Sequence, residues 1–242
     1  MRAATRVGAW LAAAAMVSAC GAPAPEGTDA RASDDAGTVC AQGDASALPD
    51  GRSVGGRYAS RVVSFTPGDG ATFGADRMPG VVPGSPVGGG EFRGGTDVVS
   101  LGAGGEVVIG FDVDIVDGPG DDFTVFENPF AVPGTSDRYW EELGEVSVSL
   151  DGVHWTPFAC DPAGARPHTG CAGWNVVYAT PDETGTCATD PRVSGGDPFD
   201  LARVGVTRAR FVRVRDLRTQ GLAPPSTGFD LDAIAVLHAS MR

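Results

Sequence analysis

The chain has no lysine: its 18 basic side chains are all arginine, and only three histidines and five cysteines occur in 242 residues. Set against 31 acidic residues, this gives a formal net charge of -13. A phosphate backbone or an anionic bilayer would be repelled, so nucleic-acid and polybasic membrane binding are not expected, whereas divalent cations suit the charge. The missing lysine reads as genome composition, not chemistry. Also missing are G-x-S-x-G, H-E-x-x-H, Walker and dinucleotide-loop motifs, and no C-x-x-C exists to hold zinc. No segment carries amphipathic helical spacing beyond one turn near residues 140–143. What is plentiful is apolar and turn-forming material: 42% hydrophobic residues, 36 Gly and 18 Pro. That composition suits a packed domain with many loops and excludes a disordered chain.

The N-terminus accounts for the odd cysteine. Arg2 and Arg6 precede an alanine-rich apolar run over residues 7–16, too short for a permanent membrane helix and suited to a signal peptide. The run ends in Val17-Ser18-Ala19-Cys20, which resembles the lipobox of bacterial lipoproteins. The resemblance implies removal of residues 1–19, diacylglycerol on the Cys20 sulfur and an acyl chain such as palmitate on its new amino group. Several acyl chains make a stable bilayer anchor. The alternative is an ordinary secretory peptide cleaved further along. Gly21 lacks the aspartate associated with inner-membrane retention, which in a two-membrane cell implies the outer membrane. Residues 20–57 contain almost no large apolar side chain and are expected to form a flexible tether, with one domain over residues 58–242. Cys40, Cys160, Cys171 and Cys187 then make two disulfides in an exported protein, with three possible connectivities. Cys160 with Cys171 and Cys40 with Cys187 is the favoured pairing.

Beyond the tether the apolar period is two. Val107, Ile109, Phe111, Val113 and Ile115 alternate with Val108, Gly110, Asp112 and Asp114, predicting a long strand with one buried face and the two aspartates on its solvated one. Val146, Val148 and Leu150 alternate likewise. Asp151-Gly152 predicts a type I′ turn, with Val153, His154 and Trp155 returning as a strand that places Trp155 in the core. Residues 211–214 and 229–237 are further candidate strands. Long Gly- and Pro-rich loops span residues 68–95, 117–122, 129–137 and 159–198. The expected fold is therefore all-β: an antiparallel β-sandwich or jelly roll with long, disulfide-pinned loops.

Three runs in the second half carry a family resemblance. Val146-Ser147-Val148-Ser149-Leu150-Asp151-Gly152-Val153-His154-Trp155, Ala209-Arg210-Phe211-Val212-Arg213-Val214 and Leu231-Asp232-Ala233-Ile234-Ala235-Val236 resemble, in order, three strands of discoidin-like, coagulation-factor type C domains. The first half resembles exported bacterial cell-surface proteins of unassigned activity. The matching residues are Val63-Ser64-Phe65-Thr66-Pro67-Gly68, Asp117-Gly118-Pro119-Gly120 and Val125-Phe126-Glu127-Asn128, with Gly228-Phe229-Asp230-Leu231-Asp232-Ala233 at the close. The resemblance implies a galactose-binding-like jelly roll, ligands such as glycans or phospholipid head groups at one barrel end, and a structural calcium. Ala233 and Ala235 stand where the family's closing glutamates would, which removes the usual calcium ligand.

Replacement ligands for calcium are Asp117, Asp121 and Asp122 in one loop and Asp230 and Asp232 at a strand mouth, since calcium accepts several oxygens in flexible geometry. The bland reading has these aspartates capping turns. For a glycan, the requirement is an aromatic platform with polar neighbours. Tyr139, Trp140 and Trp174 supply candidate platforms, and Arg138, Arg166, His168 and Asn175 the polar groups; a plug of the barrel end is the alternative for both tryptophans and the preferred reading for Trp140. Glu127, Glu141 and Glu142 offer an acid pair for a polysaccharide hydrolase or esterase, but the adjacent Glu141 and Glu142 are expected to solvate a loop. Three functions follow in order: a non-catalytic carbohydrate-binding surface lipoprotein, a structural or protein-interaction lipoprotein of the envelope, and a hydrolase. An open aromatic groove at the loop end favours the first, and a flat, plugged end the second.

Overall fold

The computed structural model describes residues 46–47, 53–135, 137–180, 186–219 and 227–241. The chain divides into Met1–Ala36 and Gly37–Arg242, and every described residue belongs to the second unit. Cys20, Cys40, the predicted signal peptide and most of the predicted tether lie outside the described residues.

Seven described strands are longer than two residues: β1 (Arg61–Thr66), β2 (Glu106–Val116), β3 (Phe123–Phe126), β4 (Gly144–Ser149), β5 (Asp197–Phe199), β6 (Arg208–Asp216) and β7 (Ala233–Val236). They form the expected all-β, antiparallel, multi-sheet arrangement. In the larger sheet β6 lies between β4 and β2. The far edge of β2 pairs with β1 along its first half and with Ala239–Ser240 near its end. The far edge of β4 takes Thr156–Pro157 and Cys171–Ala172. The smaller sheet runs β5–β3–β7.

Alternation decides which faces meet. Val107, Ile109, Phe111, Val113 and Ile115 of β2 are all buried, and they share one core with Val146, Val148, Val212 and Val214 from the same sheet and Phe123, Val125, Phe199, Ile234 and Val236 from the other. Each such side chain contributes about 1.5–3 kcal/mol by leaving water. Phe123, Phe158 and Phe199 pack edge-to-face and stacked, with centroids 4.9–5.9 Å apart. The outer face of the smaller sheet is also covered: Phe126, Ala233 and Ala235 form a second apolar layer with Tyr58, Val177, Ala179 and Ala188. Ala233 and Ala235 thus lie in packed apolar surroundings, which do not fit the calcium ligation that the family resemblance implies at this strand.

The Cys160–Cys171 disulfide is present, with Cα atoms 4.7 Å apart. It ties one long loop to the edge of β4, because Cys171 pairs with Glu145. Cys187 is also disulfide-bonded.

Several local expectations change. Asp112 is exposed as expected, but Asp114 is 2% exposed and carries Arg208 at 3.1 Å and Arg210 at 2.9 Å from the neighbouring strand. Only Gly152 of the Asp151-Gly152 pair has positive φ, so no type I′ turn forms. The Asp151 carboxylate instead accepts from the backbone N–H groups of Val153 and His154, both at 2.8 Å, and pairing resumes only at Thr156 opposite Val148. Trp155 consequently leaves the core and lies under the Arg213 guanidinium, 4.6 Å from its ring centroid. The predicted turn near residues 140–143 is replaced by a strand pair, Phe130–Ala131 with Tyr139–Trp140. Helical turns occur instead at Pro191–Ser194 and Leu201–Val204, where Asp190 and Asp200 cap the first-turn N–H groups. The last predicted strand is split at Asp232: Leu231 pairs with Val99, whereas Ala233 pairs with Phe126. Within the predicted tether, Ser46–Ala47 pairs with Ser53–Val54, and Arg57 donates to the Val236 carbonyl at 3.3 Å.

Candidate functional site

Register places one end of the sandwich under a group of loops. Arg215 lies opposite both Glu106 and Glu145, Thr66 lies opposite Glu106, and Ala233 lies opposite Phe126. The starts of β2 and β4 therefore share one end of the larger sheet, the end of β3 and the start of β7 share one end of the smaller, and residues next to β3, β4 and β7 meet around one cavity. The loops leaving these strands enclose a cavity of about 540 Å³. Phe73, Phe92, Phe130 and Trp140 supply its aromatic wall, and Glu127, Glu142 and Asp230 its acidic floor. Phe92 is 82% exposed and Trp140 39% exposed. Trp140 is thus a partly exposed residue lining the cavity, and not the buried barrel-end plug considered for it.

The floor follows from local sequence. Glu127 directly follows the buried strand β3, so chain continuity carries it inside with Phe126. Glu142 precedes Leu143 at the mouth of β4, and Asp230 opens the short strand Asp230–Leu231 inside the final buried segment. Exposures are 2%, 6% and 5% for Glu127, Glu142 and Asp230, and one oxygen from each lies within 4.8 Å of the others. The run Gly228-Phe229-Asp230 presents three successive N–H groups to carboxylates: Gly228 donates to Glu142 at 3.0 Å, Phe229 to Asp216 at 2.9 Å and Asp230 to Glu127 at 3.3 Å. Gly228 needs to be glycine here, because its φ is +74° and an added Cβ would lie 2.8 Å from the Gly102 backbone. Burial, reinforced by Asp230 and Glu142, raises the Glu127 carboxyl well above the usual carboxylate range. Burial first and Asp230 second push Glu142 up to about 8. Glu142 is therefore no loop-solvating residue, contrary to the expectation from its adjacency to Glu141.

The ligand candidates named from sequence separate into two groups. Trp140 faces the cavity, while Tyr139, its neighbour in a strand, points the other way and lies 4.0 Å beneath the Arg166 guanidinium. Trp174 is 5.7 Å from the same guanidinium. Arg166 Nε and His168 Nε2 each lie 3.4 Å from Glu141, and Arg166 donates to the Trp174 carbonyl. Trp174 Nε1 donates to the Cys171 carbonyl at 3.2 Å and Asn175 to the Gly196 carbonyl at 2.7 Å. Tyr139 donates to Glu91 at 3.1 Å, the bond that raises its hydroxyl pKa. These residues do assemble, but most of their polar groups are taken up by contacts within the fold, so the cluster braces the disulfide loop. Glu141 belongs to that brace and not to solvent. Arg138 is exposed.

The aspartates proposed for calcium separate as well. Asp117 and Asp122 come together with Asp200, within 4.8 Å, but Asp121 does not join that group. Asp122 is fully buried and accepts from Gly118 N–H, Leu201 N–H and His238 Nδ1, each at 2.8 Å. It is a staple between loops. Asp232 accepts from Val87 N–H at 2.9 Å, away from its supposed partner Asp230. Sequence reasoning missed Phe73, Phe92 and Phe130 altogether. The usable signal was Glu127 directly after four strand residues, a position where a carboxylate has no route to solvent.

No protein-family model matches the chain, and no curated protein does.

Proposed function

We propose that the chain is a lipid-anchored, extracytoplasmic protein that binds carbohydrate in this cavity without turning it over. The observation that carries the reading is the juxtaposition of exposed aromatic side chains, Trp140 and Phe92, with the carboxylates of Glu142 and Asp230 in one concave site. A sugar ring offers an apolar C–H face and a rim of hydroxyls. The aromatic side chains would bury the first and the carboxylates accept from the second. Binding is favoured over hydrolysis because Glu127 Oε2, the third member of the floor, is sealed from solvent and has no approach to a glycosidic oxygen. The lipobox at Cys20 and the galactose-binding-like resemblance support the same reading.

A glycan array followed by calorimetry tests it. Wild type is expected to select a glycan, with Trp140→Ala weakening it at least tenfold, about 1.4 kcal/mol, while Trp174→Ala leaves affinity unchanged. No glycan signal combined with an envelope protein crosslinked in whole cells would establish the structural reading instead. Release of reducing sugar over time would establish the hydrolase.

A further inference from the structure

We propose that Glu127, Glu142 and Asp230 form a calcium site on the floor of the cavity. The geometry is suitable: two oxygens on one calcium ion lie at most about 4.8 Å apart, twice a Ca–O distance of about 2.4 Å, and the three carboxylates meet that limit. All three are at least nine-tenths buried. Glu127 supplies a separate observation, since its Oε1 accepts from Asp230 N–H while its Oε2, also buried, has no hydrogen-bond partner. A buried carboxylate oxygen without a donor is costly, and it needs a proton or a cation. The charges that act most on Glu127 are the other two carboxylates, and the one arginine lining the cavity, Arg93, is not among them. One shared proton would neutralise one acid of three, whereas a divalent cation answers two charges and all three oxygens together. An all-oxygen donor set without cysteine or histidine selects calcium or magnesium over zinc or copper. Calcium is favoured because it tolerates an irregular shell completed by backbone and solvent oxygens, while magnesium demands near-ideal octahedral geometry.

The ion would give the floor a further purpose. Coordination positions facing the cavity can accept two neighbouring hydroxyls of a sugar, an extension that rests on the carbohydrate reading; the calcium site itself does not.

The test is calorimetric titration of calcium chloride into the chelator-stripped full chain, without sugar, alongside thermal unfolding. Wild type is expected to bind one saturating calcium ion and to melt several degrees higher with it. Glu127→Gln should weaken that binding at least 100-fold. Its metal-free melting temperature should equal or exceed that of metal-free wild type, because Gln keeps an oxygen for the Asp230 N–H and removes an acid that can ionise beside two others, and this also shows that the variant folds. Asp117→Asn, in the other acidic group, and Trp140→Ala should both retain calcium. Four results would overturn the site: no heat and no melting shift in wild type, unchanged affinity in Glu127→Gln, loss of binding in Asp117→Asn, or magnesium bound as tightly as calcium. Calcium binding with no glycan on the array would sink the carbohydrate reading and leave the metal site standing.

Discussion

Asp197 and Glu127 are both closed off from water, but the backbone serves them differently. Asp197 Oδ2 accepts from Gly173 N–H at 2.6 Å and Trp174 N–H at 3.3 Å, which favours its charged form. Burial is the larger effect and pushes its carboxyl up to about 8. The unfolded chain has an aspartate near 3.9, so the folded state holds the proton more tightly. Its stabilising contribution is complete below about pH 4 and is lost as pH rises through about 8. Denaturation measured at intervals from about pH 5 to about pH 8 should therefore show stability falling more steeply in wild type than in Asp197→Asn. Equal slopes would mean that the N–H donors keep Asp197 ionised throughout.

Between elements, single aspartates do the joining. Asp122 binds the turn at Gly118, the helical turn that starts at Leu201 and the His238 ring beyond β7. Asp122→Ala leaves three donors without their acceptor at a fully buried position, and the expected loss is about 3–5 kcal/mol, read as a lower urea midpoint. A loss below about 1 kcal/mol would mean that water replaces the carboxylate. The same elements show which features were legible from sequence. Strand β2 was readable because its core-facing residues Val107, Ile109, Phe111, Val113 and Ile115 recur at every second position, a period that no other regular structure shares, although its other face is largely buried as well. The Asp151-Gly152 turn was misread because the Asp151 carboxylate competes with the backbone for the loop's N–H groups, a choice invisible in the dipeptide. The cavity was unreadable for a different reason. Its floor comes from positions 127, 142 and 230, which only strand register brings within reach of one another.

At the scale of the whole molecule, the proposal separates attachment from recognition. In that proposal attachment would belong to Cys20 and recognition to the cavity at one end of the sandwich. Cys20→Ala is expected to abolish labelling by palmitate and to move the protein from the membrane fraction to the soluble one, with glycan affinity unaltered. Continued membrane association without label would point to another means of retention.

The Gly228-Phe229-Asp230 run also imposes an order on events. Its N–H groups hold Glu142 and Glu127 across sequence separations of 86 and 103 residues, and Asp230 is itself part of the floor. Under the proposed function, a chain synthesised N-terminus first would carry its anchor at Cys20 long before its cavity floor is complete. Until position 230 emerges, the acids at 127 and 142 lack the donors that hold them. Any ligand of that floor would then meet only finished molecules.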